Sequence, residues 1–148
     1  MQKDYLHVLL ADDDEDDRIF FRDAFEEVKI KTNLDFVHDG SELLELLNNP
    51  ETKLPNILFL DLNMPKKTGI ECLIEIKKRP HLKDLIVAIY STSSSEEDIE
   101  ETFIQGANIY IKKPSDFNSL KKILNGVVTL NWQYYTSGLN RDNFLLRL

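Results

Sequence analysis

Apolar residues along this chain alternate between short unbroken runs and longer stripes with helical spacing. The short runs occupy residues 5–11, 56–60, 85–90 and 108–112, and residues 33–39 (NLDFVHD) form a more polar segment that is also strand-like. The helical stripes lie between and after them, at residues 14–28, 41–49, 69–79, 95–105 and 116–135. Runs of five to seven apolar residues are typical of buried strands, and a period near 3.6 is typical of amphipathic helices. The pattern therefore predicts five consecutive strand–helix units.

The unbroken character of the strands indicates how they are packed. A strand buried on both faces shows no polar alternation, which is the signature of a parallel sheet covered by helices on each side. Right-handed crossovers leave few ways to connect five such units. We therefore predict an α/β fold with a doubly wound, five-stranded parallel sheet in the order 2-1-3-4-5.

Polar residues at the predicted helix ends support these boundaries. Asp14 is placed to cap the first helix, and Thr68 and Glu71 form a capping-box pattern at the start of the third. The acidic run from Asp14 to Asp17 is interpreted as a cap and a favourable first turn. Pro50 and Pro80 end the helices that precede them.

Bulk composition narrows the class of protein. The chain has 148 residues, which suits one domain, and a net charge of −8, which disfavours nonspecific nucleic-acid binding. No apolar run is long enough to cross a bilayer, and the first residues do not resemble a secretion signal. The one cysteine, Cys72, is interpreted as a core residue compatible with a reducing compartment. We therefore expect a cytoplasmic protein without a membrane segment.

Polar residues follow the strands that neighbour one another in the predicted sheet. In a sheet of this topology, ligands bind beyond the carboxyl ends of the strands, where the first and third strands meet. The residues that stand at those ends are Asp12 and Asp13, Asp61, Ser91 and Thr92, and Lys112 and Lys113. We therefore expect three carboxylates, a hydroxyl and an amine in one cleft.

This set of groups suits one kind of chemistry. Clustered carboxylates cannot all remain ionised without a cation, and Mg²⁺ takes a few protein oxygens while keeping several waters. A carboxylate beside such a metal can act as a nucleophile and become an acyl phosphate. Asp61 ends the buried run "ILFL" and precedes a turn, so we predict that it receives a phosphoryl group.

These motifs resemble those of response regulator receiver domains of two-component systems. The resemblance covers about residues 5–130 and rests on "LLADDDEDD", "FLDLNMP", "STSSSEEDI" and "NIYIKKP", each at its own strand end. The third motif also resembles small stand-alone receivers related to phytochrome-associated regulators. The resemblance implies a flavodoxin-like (βα)5 fold and a receiver domain over residues 1–131.

The resemblance also assigns roles to individual residues. Asp61 would be the phosphoacceptor, and Lys113 and Ser91 would contact the phosphoryl oxygens. Mg²⁺ would be held by Asp12 (mainly through water), Asp13, Asp61 and the backbone carbonyl of Asn63. Ser91 and Tyr110 would be the switch residues that remodel the face formed by the fourth helix, fifth strand and fifth helix.

The implied partner is a histidine kinase or a histidine phosphotransfer protein, with output by partner binding or onward phosphotransfer. Such a domain is a signalling receiver and not an enzyme, since it promotes only its own phosphotransfer and slow dephosphorylation. No nucleic-acid or membrane partner is expected.

Two other classes share part of the pattern. A phosphohydrolase of the haloacid dehalogenase type also ends its first strand in Asp-x-Asp, as Asp12 and Asp14 do, but needs a later acidic pair that is not present after Lys113. A calcium loop fits the acids from residue 12 onward, but lacks glycine at its sixth position, where Asp17 stands.

The last segment, residues 132–148, is rich in apolar and aromatic side chains. A solvated tail would not carry so many. We expect an extension that is not a separate domain. It either joins the face of the fourth helix, fifth strand and fifth helix to form a homodimer, or folds back over its own fifth helix.

Overall fold

The computed structural model describes residues 6–28, 32–137 and 145–146, and it describes side chains up to residue 129. The strands are β1 (Leu6–Ala11), β2 (Thr32–Val37), β3 (Ile57–Leu60), β4 (Ile86–Ser91), β5 (Ile109–Lys112) and β6 (Leu145–Leu146). The helices are α1 (Glu15–Phe25), α2 (Gly40–Asn48), α3 (Gly69–Lys78), α4 (Glu96–Ile104) and α5 (Phe117–Ser137), with a short 3₁₀ turn at Pro80–Leu82. These bounds lie within two residues of most predicted ones.

The sheet has the order β2-β1-β3-β4-β5-β6, and its strands are parallel. The predicted 2-1-3-4-5 arrangement of five strands is confirmed. The sixth strand was not predicted. It pairs with β5 through Tyr110 opposite Leu145 and Ile111 opposite Leu146.

Alternate side chains of each central strand enter one of two cores. Leu9 and Ala11 of β1 pack with α2, α3 and α4, whereas Val8 and Leu10 pack with α1 and α5. Strands covered on both faces explain why the sequence runs are apolar without alternation. Cys72 is buried on α3, as its apolar surroundings predict.

Local capping fixes where the helices begin. The side chain of Asp14 accepts a hydrogen bond from the backbone N–H of Asp17, and Thr68 and Glu71 form a reciprocal capping box. Ser95 caps α4 in the same way through Asp98. These caps satisfy N–H groups that have no partner within the helix, which confirms the predicted starts of these helices.

The C-terminal part of the chain extends the last helix. The backbone of α5 continues to Ser137, past the predicted end of the receiver at residue 131. The side chains of residues 130–148 lie outside the described part of the structure, so the predicted role of residues 132–148 stays a prediction.

Candidate functional site

Two buried carboxylates lie side by side, each directly after the end of a strand. Ala11 of β1 pairs with Leu60 of β3, so the next residues, Asp12 and Asp61, are neighbours at the carboxyl edge. The backbone N–H of Asp61 donates to the carbonyl of Ala11 at 3.0 Å. Asp12 is fully buried and Asp61 is 5% exposed. The register of the sheet, and not a local motif, therefore brings these residues together.

Asp13 completes a cluster of three carboxylates. One oxygen from each of Asp12, Asp13 and Asp61 lies within 4.8 Å of the others, and Asp13 faces solvent. In an octahedral Mg²⁺ site, neighbouring ligand oxygens are roughly 3 Å apart and opposite ones roughly 4.2 Å, so these oxygens would move closer together around a bound ion. All three are hard oxygen donors, and the residues present fit a divalent cation of this kind.

Lys113 reaches this cluster from the end of β5. Its ammonium nitrogen is 2.9 Å from Asp12 Oδ2, 2.8 Å from Asp17 Oδ2 and 3.7 Å from Asp61 Oδ2. The backbone N–H of Lys113 donates to the Ser91 carbonyl at 2.7 Å, which fixes the start of the loop. The neighbouring Lys112 is exposed. Of the two lysines at this strand end, Lys113 is therefore the one in the site.

Burial changes the ionisation of the buried acids. Burial raises the pKa of Asp61 to about 6, although attraction to Lys113 opposes this and repulsion from Asp12 adds to it. Burial also raises the pKa of Asp12, against hydrogen bonds from the Asp14 backbone and from Lys113. Burial alone would lower the pKa of Lys113, but its bonds to Asp17 and Asp12 outweigh this and raise it. Lys113 therefore stays positively charged, whereas burial disfavours the ionised forms of Asp12 and Asp61.

Ser91 and Tyr110 are linked through one loop residue, Ser93. Ser91 is fully buried at the end of β4, and its hydroxyl oxygen accepts from the N–H of Ser93 at 3.1 Å. The Tyr110 hydroxyl donates to the Ser93 carbonyl at 2.9 Å, and the Tyr110 side chain points inward with 1% exposure. A movement of the loop after Ser91 would therefore change the hydrogen bond between Tyr110 and Ser93.

Asn63 lies in the loop after β3. Its backbone N–H points to Asp61 Oδ1 at 3.4 Å, which places the residue beside the carboxylate cluster. The residues predicted as one site are therefore gathered at one edge of the sheet.

A comparison with known families decides the class. Residues 8–125 match the family described as response regulator receiver domain. The chain belongs to this family. The receiver therefore has the fold and the phosphoacceptor function that its sequence motifs imply.

Two curated relatives match this chain over most of their own length. Response regulator Rcp1 of Synechocystis is 32% identical over 127 residues, which is 81% of this chain and 84% of that protein. A probable methanogenesis regulatory protein, FilR2 of Methanothrix harundinacea, is 29% identical and covers 91% of this chain and 86% of its own.

Solved structures of similar receivers superpose over most of the chain. The phosphorylated cyanobacterial phytochrome response regulator RcpA has a TM-score of 0.77 at 30% identity, covering 93% of this chain and 98% of its own. The Mn²⁺-bound form of response regulator Rcp1 has a TM-score of 0.75 at 27% identity, covering 91% and 97%. Receivers bind a divalent metal and interact with histidine kinases or phosphotransfer proteins, and the acidic cluster of this receiver is suited to the first of these roles.

Two residues of the receiver's site were missed from sequence. Asp17 was interpreted as part of the first turn of α1, but its carboxylate binds Lys113. Tyr90, just before Ser91, places its ring 5.2 Å from the Lys113 ammonium, a cation–π contact. Both contacts depend on the direction of a side chain, which the order of residues does not show.

Within the described residues of the receiver, no helix is both long and apolar enough to cross a bilayer.

Proposed function

We propose that Asp61 is the phosphoacceptor of this receiver, and that it takes its phosphoryl group from a phosphohistidine on a kinase or phosphotransfer protein. The observation that carries this is the placement of the Asp61 carboxylate between two further acids and Lys113 at the edge of the sheet. A carboxylate oxygen in such a place can act as a nucleophile, while Lys113 and a cation held by the acids would neutralise the charge. This is what phosphoryl transfer requires, since the reaction needs little beyond positioning and electrostatic stabilisation.

Each neighbour of Asp61 has a separate task in the transfer. An Asp61 oxygen forms the new bond to phosphorus while the bond between phosphorus and the histidine nitrogen breaks. Lys113 and Ser91 hold the phosphoryl oxygens through an ammonium and a hydroxyl. Asp12, Asp13, Asp61 and the Asn63 carbonyl would hold Mg²⁺, which supplies neutralising charge when bound.

The switch follows from the links through Ser93. We expect Ser91 to move toward the phosphoryl group, and both Ser91 and Tyr110 hydrogen bond to Ser93. A shift of this loop therefore changes the surroundings of Tyr110 and the surface made by α4, β5 and α5. This is a population shift driven by a new local charge. The receiver acts as a signalling domain in the cytoplasm and turns over no substrate other than its own phosphoryl group.

Labelling with a small phosphodonor tests the assignment. Acetyl phosphate and Mg²⁺ should add one phosphoryl group per chain, and Asp61→Asn should add none. Asp39→Asn is a matched control, because Asp39 also follows a strand but caps α2, pairs with Lys66 and is not part of the carboxylate cluster. Equal labelling of the Asp61 variant would contradict the proposal. Sustained hydrolysis of an aryl phosphate over many turnovers would favour a phosphohydrolase instead.

A homodimer through the face of α4, β5 and α5 is a second part of the proposal. Ile104 on α4 is 67% exposed, and such a dimer would cover this apolar side chain. The edge of β5 is occupied by β6 of the same chain, so a dimer would use the helices of this face or exchange of the tail. Sedimentation equilibrium of the full chain and of a version ending at Tyr135, with and without a phosphoryl mimic, tests this. Monomers under all conditions would leave the tail as an intramolecular cover.

A further inference from the structure

The carboxylate of Asp17 holds Lys113 as closely as Asp12 does. The ammonium is 2.8 Å from Asp17 Oδ2 and 3.7 Å from Asp61 Oδ2. Asp17 belongs to the first turn of α1, whose start is fixed by the Asp14 cap, while Lys113 follows β5. The contact therefore joins two elements that are far apart in sequence and depends on the packing of α1 against the end of the sheet.

The contact with Asp17 limits what Lys113 can offer to Asp61. An ammonium has three N–H donors, and two of them serve Asp12 and Asp17. The Lys113 ammonium is 3.7 Å from Asp61 Oδ2, which is too far for a strong hydrogen bond. A phosphoryl group on Asp61 would present charged oxygens that can form a shorter and stronger hydrogen bond to this ammonium. The third donor remains for these oxygens, but all three contacts share one positive charge, so a strong bond to the phosphoryl group is favoured when one of the two present contacts weakens.

Asp17 is the partner that can yield. Asp12 is fully buried and cannot turn to water, whereas the Asp17 side chain is 39% exposed. We propose that Asp17 is a positioning residue that competes with Asp61, and with the phosphoryl group Asp61 carries, for Lys113. The competition with the phosphoryl group rests on the proposed function, in which Asp61 is the phosphoacceptor. Asp17 thereby weakens the site's hold on the phosphoryl group and strengthens its hold on the metal.

Beryllofluoride, a phosphoryl mimic, gives the direct measurement. Its dissociation constant is measured by calorimetry at saturating Mg²⁺ in the full-length wild type, Asp17→Asn, Asp17→Glu and Asp16→Asn. Asp16→Asn removes the same charge at a neighbouring exposed position with no hydrogen bond to Lys113. Asp17→Asn should bind the mimic about fivefold more tightly, the scale of a partly exposed ion pair. Asp16→Asn should be unchanged, and Asp17→Glu should behave as wild type.

Mg²⁺ binding without the mimic gives the second measurement. In Asp17→Asn the freed ammonium moves onto Asp61 and opposes the cation, so Mg²⁺ should bind at least about twofold more weakly than in Asp16→Asn. Equal effects of the two variants on both ligands, or a loss of thermal stability in Asp17→Asn with neither affinity changed, would overturn the proposal. Failure of the wild type to bind beryllofluoride would reject the phosphoacceptor assignment, and the Mg²⁺ comparison would still decide whether Asp17 and Asp61 compete for Lys113.

Discussion

Replacing Asp61 by asparagine should stabilise the metal-free protein. The pKa of Asp61 is raised from 3.8 to about 6, chiefly by burial. The folded state thus binds this proton more tightly than the unfolded state does. Asp61 therefore opposes folding above about pH 6, and this cost disappears as the pH falls toward 4.

The size of the effect follows from the shift. A difference of about 2 pKa units corresponds to roughly 3 kcal/mol at pH 7.5, because each unit is worth about 1.4 kcal/mol. Attraction to Lys113 is already included in this shift. For a domain of this size, 3 kcal/mol corresponds to an increase in melting temperature of about 6–12 °C. The side chain is nearly buried, so little of this is lost to solvent screening.

Urea unfolding in chelator, followed by circular dichroism at pH 4.5, 6 and 7.5, measures the difference. Asp61→Asn should be more stable than wild type by roughly 3 kcal/mol at pH 7.5, and the difference should fall to roughly 1 kcal/mol at pH 4.5. Asp16→Asn, at an exposed position, is the charge-matched control and should show a change below about 0.5 kcal/mol. Added Mg²⁺ should stabilise the wild type more than the Asp61 variant. An Asp61 variant no more stable than wild type at pH 7.5, or a difference that does not shrink on acidification, would refute the reasoning.

Three further variants probe other parts of the account. Asp13→Ala should weaken Mg²⁺ binding far more than Asp14→Ala, measured by calorimetry, and equal losses would shift the metal site by one residue. Lys113→Ala should still accept a phosphoryl group but should lose the accompanying amide chemical shift changes, and a variant that switches normally would move that role elsewhere. Gly69→Ala should destabilise the fold by about 2 kcal/mol or more in urea, because its Cβ would overlap the Asp61 carbonyl, whereas Gly126→Ala, with open space around it, should be neutral or stabilising by up to about 1 kcal/mol.

Most of the fold was predictable because burial of a strand on both faces determines both its apolar sequence and its packing between helices. Strands buried on both faces must be apolar throughout, so the apolar runs that end at Ala11, Leu60 and Tyr90 showed where these strands end. Parallel pairing then places the following residues at one edge. The neighbourhood of Asp12 and Asp61 could be deduced in this way without knowledge of any distance.

The features that were missed depend on side-chain direction and on weak local patterns. A half-exposed acid in the first turn of a helix is ordinarily only a favourable charge, and nothing in the order of residues shows that Asp17 points at Lys113. Tyr90 falls within the apolar run 85–90 and was predicted only as part of a strand, and its contact with Lys113 depends on ring packing against Phe21 and Phe59. The two-residue strand β6 is too short to produce a periodic signal.

Chemical mapping of the phosphorylated residue tests the central claim most directly. The chain is incubated with acetyl phosphate and Mg²⁺, reduced with borohydride, digested and analysed by tandem mass spectrometry. Borohydride converts an aspartyl phosphate to homoserine, which marks the acceptor permanently. The account predicts homoserine at position 61 and at no other aspartate of the chain. Homoserine at Asp12 or Asp13 with an unmodified Asp61, or phosphate on another type of side chain, would contradict it.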